Sequence, residues 1–470
     1  MVMVSKEELR KLNKEKLVGL VYDLLIKVDK LTAEVNELRQ EVKTLKTKKN
    51  SGNSSLPPSG DLFRFKNQSL REKSGKKSGG QPGHKGETLG MSPNPDKIIE
   101  HRPEEVCPQC GKHHTDEPVH IIGKRQVIDI PFINASVVEH QIYQSTCTCG
   151  HVGSGSFPVG VTAPVQYGNN LIALTAYLSS RQYVPYSRLS ELIKSITNIS
   201  MSEGTIFNLL NKAANLVMPI YDGIKEEISK ATTIGGDESG VKVKKANFWA
   251  WTWQTLQATY IVISKTRGFS TIEQTFPDGF SNATYVSDSL SAQLKTVAKY
   301  HQLCLAHLLR ELNYFEQIYK HKWVTEMKEL LKSAIKLKQT ITKEQYKEPL
   351  EERTAILKKF NILINQPLPD TVPKIFPFQK RLLKRKGQVF NFLFDPDVPY
   401  DNNGSEQAIR NVKVKQKISG SFRSERGAEI FAILRSVVDT IIKKGGNPFE
   451  SIHFAIAVAT RKKEFLANKI

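Results

Sequence analysis

From Leu17 the chain repeats every seven residues: Leu17, Leu24, Leu31, Leu38 and Leu45 recur at one position, and Val21, Val28, Val35 and Val42 at a second. A strict seven-residue apolar repeat has a 3.5-residue period, and a helix that carries it presents a narrow seam for another helix to cover. β-branched residues at the first seam position with leucine at the second favour two parallel strands. Residues 1–50 are therefore expected to form a dimerising coiled coil, and the protein a homodimer. The competing reading, an amphipathic helix docked on the chain's own core, calls for a wider stripe of period 3.6.

Single cores stop growing at roughly 250–300 residues, so 470 residues imply several domains. The formal net charge of +21 suits a polyanionic partner, of which nucleic acid is the commonest. The first residues lack the apolar core of a signal peptide, and no segment has the roughly 18 uninterrupted apolar residues of a membrane span, so a soluble cytoplasmic protein with no membrane partner is expected. Residues 51–100 are rich in Gly, Pro, Ser and Lys. Between Lys43 and Gly86 stand 11 Lys or Arg against 2 Asp or Glu. Such a flexible basic arm, with Lys73, Lys76, Lys77 and Lys85, would hold DNA phosphates without reading sequence. A merely solvated linker has the same composition.

Four of the five cysteines fall in two close pairs, Cys107 and Cys110 in CPQCG and Cys147 and Cys149 in CTCG. The stretch between them, KRQVIDIPFINASVVEHQIYQSTC, reads as a β-hairpin. Two cysteine pairs joined by a hairpin are how a zinc ribbon brings four thiolates to one structural Zn²⁺. This assigns residues 101–160 to a zinc-binding ribbon. The second pair is C-x-C, tighter than usual, which leaves His113, His114 or His151 open as a ligand. Residues 161–230 read as helices. YSRLSELIKSITNISMSEGTIFNLLNKA holds two amphipathic segments separated by a turn, as in a helix-turn-helix or in ordinary helical packing.

At Thr232 the pattern changes to strands. TTIGGDESGVKV, NFWAWTWQT and ATYIVIS form a meander, Asp237 lies in the first run, and Asp288 closes a fourth strand, ATYVSD, ahead of an expected helix SLSAQLKTVAKY. In PYDNNGSEQAIR, Asp401 and Glu406 stand where a helix begins, which suits helix capping as well as chemistry. Hard divalent cations, Mg²⁺ or Mn²⁺, bind a few carboxylates and leave room for water and phosphate oxygens, and two such ions can serve both sides of an in-line displacement at phosphorus. Asp237, Asp288 and Glu406 supply three acids from separate elements, as a ribonuclease-H-like nucleotidyl-transfer core requires. The 118 positions between Asp288 and Glu406 (406 − 288) exceed a minimal core, so residues 305–397 are expected to be a helical insertion between core parts at 231–304 and 398–470. The fold class expected is a multidomain α/β protein: coiled coil, zinc ribbon and helical region ahead of a ribonuclease-H-like core.

NSSLPPSGD, GGQPGHKGETL, CPQCG, RQVIDIP, APVQYG, GGDESG, HQLCLAHLLREL and DNNGSEQAIRNVKVKQKISGSFRSERGAE occur in that order between Asn53 and Pro448. The chain in this respect resembles transposases of the insertion-sequence-66 family. The resemblance implies a DDE triad at Asp237, Asp288 and Glu406 holding two Mg²⁺ or Mn²⁺ ions, with Asp401 and the two asparagines shaping the turn that presents Glu406. It also implies double-stranded DNA as partner, both terminal inverted repeats and target, and accessory proteins of the same element. Cys304 and His307 are similar to a pair found near the catalytic centre of transposases with helical insertions, and equally suit a helix start packed on the core. Arg410, Lys413, Lys415, Lys417, Arg423 and Arg426, following Glu406, would meet the backbone of a DNA end. Strand cleavage and transfer is the activity implied. A zinc-containing dimeric DNA-binding regulator with an inactive core, and a junction resolvase or nuclease of the same fold, remain the alternatives.

The heptads generate a direct test. Deleting residues 1–50 should lower the oligomeric state in sedimentation and weaken pairing of two DNA ends, while the catalytic residues, all at or beyond Asp237, stay folded. Equal sedimentation of truncated and full chains would remove the coiled-coil assignment.

Overall fold

The β-branched and aromatic runs beginning at Thr233 build the centre of the molecule, seen in a computed structural model that describes residues 13–46, 53, 90–102, 104–113, 120–129, 133–158 and 160–467. Lys73, Lys76, Lys77, Lys85 and His114 lie outside the described residues. The heptad segment is one helix, α1 (Lys14–Lys46), and its seam residues from Leu17 to Val42 are exposed on the single chain. The ribbon segment carries two short paired strands, β1 (Gln144–Thr146) and β2 (Val152–Ser154), around the second cysteine pair. The expected longer hairpin does not form in 120–129 and 133–143. Its apolar residues stand in water, Val127 and Val137 each 92% exposed, because they have no sheet partner among the described residues.

Four helices follow, α2 (Asn169–Ser180), α3 (Tyr186–Thr197), α4 (Glu203–Leu216) and α5 (Met218–Ser229). α3 and α4 are the two segments anticipated around a turn. Asn198 ends α3 in the left-handed conformation, and Ser202 caps α4 by accepting from Thr205 N–H at 3.1 Å.

The sheet has five strands in the order β5-β4-β3-β6-β7: β3 (Thr233–Val243), β4 (Ala246–Gln254), β5 (Thr259–Ser264), β6 (Phe280–Ser287) and β7 (Ala298–Leu303). β3, β4 and β5 form the antiparallel meander, while β6 and β7 run parallel to β3. Short helices α6 (Phe269–Thr275) and α7 (Ser291–Lys295) make the crossovers. The helix expected from Ser289 to Tyr300 stops at Lys295, and the rest of that run is β7. Pairing with β6 outweighs the helix-forming residues there.

Strand alternation sorts the core. Trp251 and Trp253 face α2, α4, α5 and two late helices, α13 (Glu425–Lys443) and α14 (Pro448–Ala467). Val241, Val243, Phe248 and Ala250 face Ile409 and Val412 of α12 (Asn403–Ser419). Both sheet edges are covered. Ile261 and Thr259 of β5 donate backbone N–H bonds to Ser436 Oγ at 2.9 Å and Thr440 Oγ1 at 3.1 Å. At β7, Asn391 Nδ2 donates to His301 O at 2.7 Å. Between β7 and α12 the anticipated insertion is α8 (Leu305–Tyr319), α9 (Lys322–Thr340), α10 (Glu351–Asn365) and α11 (Ile375–Lys384), around its own core of Trp323, Phe360, Phe378 and Phe390.

Two glycines let the sheet accept close neighbours on both faces. A Cβ at Gly235 would stand 2.6 Å from Ser405 Oγ and 2.9 Å from Asn402 Oδ1, and one at Gly236 would overlap the Tyr285 hydroxyl. Gly235→Ala should therefore lift α12 and cost about 1–3 kcal/mol in denaturant unfolding, the usual cost of overpacking. An unchanged midpoint would show that α12 does not sit this close.

Candidate active site

Asp237 is central in β3, on the face that α12 covers, and Asp288 follows the last residue of neighbouring β6. The two are brought together. Burial, then the Asp288 charge, then that of Glu238, push the Asp237 carboxyl well above the usual carboxylate range, against a 2.8 Å hydrogen bond donated by Glu238 N–H to Asp237 Oδ1.

Glu406 enters from the first turn of α12. Asn402, just before that helix, is buried and fixes it. Its Nδ2 donates to Gly236 O at 2.7 Å, and its N–H donates to Cys304 Sγ at 3.3 Å. Asp401 shapes the turn as expected, accepting from Asn403 N–H at 3.2 Å and Asn403 Nδ2 at 2.6 Å; burial raises its pKa.

Cys304 and His307, at the start of α8, join the same site. Asp288, Cys304 and His307 offer ligand atoms within 4.8 Å of one another, the one such group among the described residues. His307 Nε2 lies 3.1 Å from Asp288 Oδ2 and 3.1 Å from Arg310 Nη1. Arg310 Nη2 reaches Glu406 Oε1 at 3.4 Å, and Arg410 Nη2 reaches Glu406 Oε2 at 3.4 Å. A polar chain thus joins Asp288 to Glu406 through His307 and Arg310. Burial works against a charged His307, but Asp288 and Cys304 outweigh it and hold the imidazole pKa well above its ordinary value.

Arg310 and Glu238 were not anticipated from sequence. Arg310 extends the spacing of Cys304 and His307 by another three residues, which on a helix puts all three on one side. Glu238, by strand alternation, faces away from Asp237. Its carboxylate accepts from Arg267 Nε and Nη2 at 3.0 and 2.6 Å and from Gln293 Nε2 at 2.8 Å.

The basic residues after Glu406 divide. Arg410, Lys417 and Arg423 are exposed. Lys413 is half-buried and donates to Gly240 O. Lys415 is 6% exposed, faces the Tyr186 ring at 5.9 Å, and burial lowers its pKa to about 8, so it presents no ammonium at the surface. Arg426 donates to Asn211 Oδ1 at 2.8 Å and Asn215 Oδ1 at 2.6 Å and pairs with Glu429 at 2.9 Å, which ties α13 to α4.

The cysteine pairs each sit on a tight turn. Gly111 N–H donates to Cys107 O at 2.8 Å and Gly150 N–H to Cys147 O at 2.9 Å, with Gly111 and Gly150 in left-handed conformations. The Cys149 backbone and side chain, with Thr148, lower the Cys147 thiol pKa. The two turns are not drawn into one ligand cluster among the described residues.

The Transposase IS66 family model matches residues 164–430, 267 of 470 positions (430 − 164 + 1). The chain belongs to the IS66 transposase family. The match spans Asp237, Asp288 and Glu406 and implies an enzyme that cuts and transfers DNA. A second model, a family of unknown function (DUF6444), matches residues 3–89 of the transposase, where the heptads and basic arm lie. A comparison with curated proteins gives no match. Among the described residues of the transposase, no helix is long and apolar enough to cross a membrane.

A carboxyl with a raised folded pKa binds its proton more tightly in the folded state, so it costs stability as pH rises through the ordinary carboxylate range near 4. Asp237→Asn should therefore raise the metal-free stability at pH 7 in denaturant unfolding, and the gain should vanish near pH 3. A gain of equal size at both pH values would assign it to packing.

Proposed function

We propose that this transposase is a DDE enzyme with a ribonuclease-H-like core, which cleaves element ends and transfers the 3′ hydroxyl to target DNA. The observation that carries the reading is the pairing of Asp237, on β3, with Asp288, just past the end of its parallel neighbour β6, and the polar chain through His307 and Arg310 that joins Asp288 to Glu406, on the helix packed against β3 at Gly235. The strand order, an antiparallel meander extended by two parallel strands, supports the core assignment.

The donor set fits a hard cation. Asp288 Oδ1 is buried without a hydrogen-bond partner among the described residues, and Asp237 stands beside a like charge that a cation would offset. Asp237, Asp288 and Glu406 would hold Mg²⁺ or Mn²⁺, two ions in this reading. Bound there, the ions would activate the attacking oxygen and stabilise the leaving one. Around them, Glu238 N–H orients Asp237, His307 orients Asp288, and Arg310 steadies Glu406. Water would attack first and the freed 3′ hydroxyl next, with no covalent protein–DNA intermediate.

In the same reading α1 pairs two copies and the arm from residue 51 to 100 adds sequence-tolerant affinity. One Zn²⁺ would draw together the turns of Cys107, Cys110, Cys147 and Cys149. The preformed turns and the lowered Cys147 pKa support the zinc reading.

Single changes Asp237→Asn, Asp288→Asn and Glu406→Gln should abolish joined products with Mg²⁺. His307→Asn and Arg310→Met should lose roughly 10–100-fold, as supporting partners of ligands do. Near-normal strand transfer by any of the three carboxylate variants would remove that residue from the triad, and nicking without joining by the unaltered protein would favour a nuclease.

A further inference from the structure

The β3–β4 hairpin closes with two residues, Lys244 and Lys245, between the paired Val243 and Ala246. Both are left-handed, with φ of 47° and 69°. A two-residue turn with both φ positive is type I′, whose preferred residues are Asn and Gly. Lysine there is strained at each position, and two adjacent ammonium groups repel. The fold gains nothing from either side chain. Both are exposed and make no ion pair among the described residues.

The tip is held rigidly. Lys244 N–H donates to Phe422 O and Phe422 N–H to Lys242 O, each at 2.9 Å, and Phe422 is buried against Phe431. This brings exposed Arg423 beside the lysines. The acid of that connection, Glu425, is engaged by Lys265 at 3.2 Å.

The tip also lies on a line from the acids. β3 carries seven residues from Asp237 to Lys244, roughly 23 Å at 3.3 Å each. α12 runs from Glu406 to its end at Ser419, roughly 20 Å at 1.5 Å per residue, and the short connection after it brings Phe422 to the same tip. Arg410 and Lys417 are exposed along it. A duplex advances about 3.4 Å per base pair, so for DNA lying along β3 a cationic tip at this range would meet its backbone about seven base pairs from the acids.

We propose that Lys244, Lys245 and Arg423 form a second DNA-backbone site, which grips duplex DNA away from the acids. The inference rests on the transposase reading for its register, but its test does not depend on catalysis. In the full chain, Lys244→Asn/Lys245→Gly and Lys244→Gln/Lys245→Gln would be compared with Lys244→Arg/Lys245→Arg for binding a 30-base-pair random duplex across a salt series. Both neutral pairs should reduce the log–log salt slope by about 1.8, or 0.9 for each lost phosphate contact, and the arginine pair should keep it. The Asn-Gly pair should also unfold at a higher temperature than the unaltered protein. An unchanged slope in the neutral pairs, or a fall confined to Asn-Gly, would overturn the site by showing solvated charges or a backbone effect. If strand transfer survives loss of the triad while the slope still falls, the catalytic reading fails and the DNA site stands.

Discussion

Asn402 is the buried contact on which the site depends. Its side chain holds Gly236 O of β3 and its backbone N–H holds Cys304 Sγ at the head of α8, so one residue joins strand, insertion and late helix. A buried amide that lost either partner would incur the full desolvation penalty of an unmet polar group. The geometry is possible only because β3 carries glycine at 235 and 236. Glycine here is a steric requirement: α12 takes the space of one missing Cβ and Tyr285 that of the other.

The charges around this joint balance locally. Asp237 and Asp288 are like charges in a half-buried setting, and His307, Arg310 and Arg410 are the cations that answer Asp288 and Glu406. Such an arrangement costs stability at neutral pH, because the Asp237 carboxyl, buried beside Asp288, is held well above its usual range. The distant pair Arg435 and Asp439 behaves differently. It is buried, with Nε to Oδ2 at 2.9 Å, and its Nη1 also donates to Ser180 O, so its role is to join α13 to α2.

Much of this was legible in the sequence. The meander and the strand before Asp288 followed from β-branched and aromatic runs, the insertion from the spacing between Asp288 and Glu406, and α3 and α4 from amphipathic patterning. β7 was not legible, because AKYHQL has four of its six residues exposed or half-exposed on a strand whose identity comes from pairing with β6. The ribbon's expected hairpin failed for the converse reason: the local pattern was right, yet no partner sheet is present among the described residues. At the candidate site, the sequence offered Asp237, Asp288 and Glu406, which the fold places on β3, just past β6 and on α12. Arg310 and Glu238 gained their roles from neighbours far along the chain, Glu406 at 96 positions and Gln293 at 55, which no local pattern encodes. Lys415 read as a surface cation and is enclosed, because on α12 it falls on the side facing Tyr186.

The insertion leaves the core at Cys304 and returns at Asn402, and these two residues touch although 98 positions separate them. Closing a loop of that length carries an entropic cost of roughly 4 kcal/mol beyond a constant, which must be met before the contact forms. Glu406, four residues past Asn402, therefore cannot be seated until the whole helical excursion has folded and brought the chain back. On a ribosome Asp237 and Asp288 emerge long before Glu406, so a nascent chain carries the first two without the residue that α12 later brings to Arg310. Order of synthesis and topology together delay the seating of Glu406 beside Arg310 until the insertion is complete.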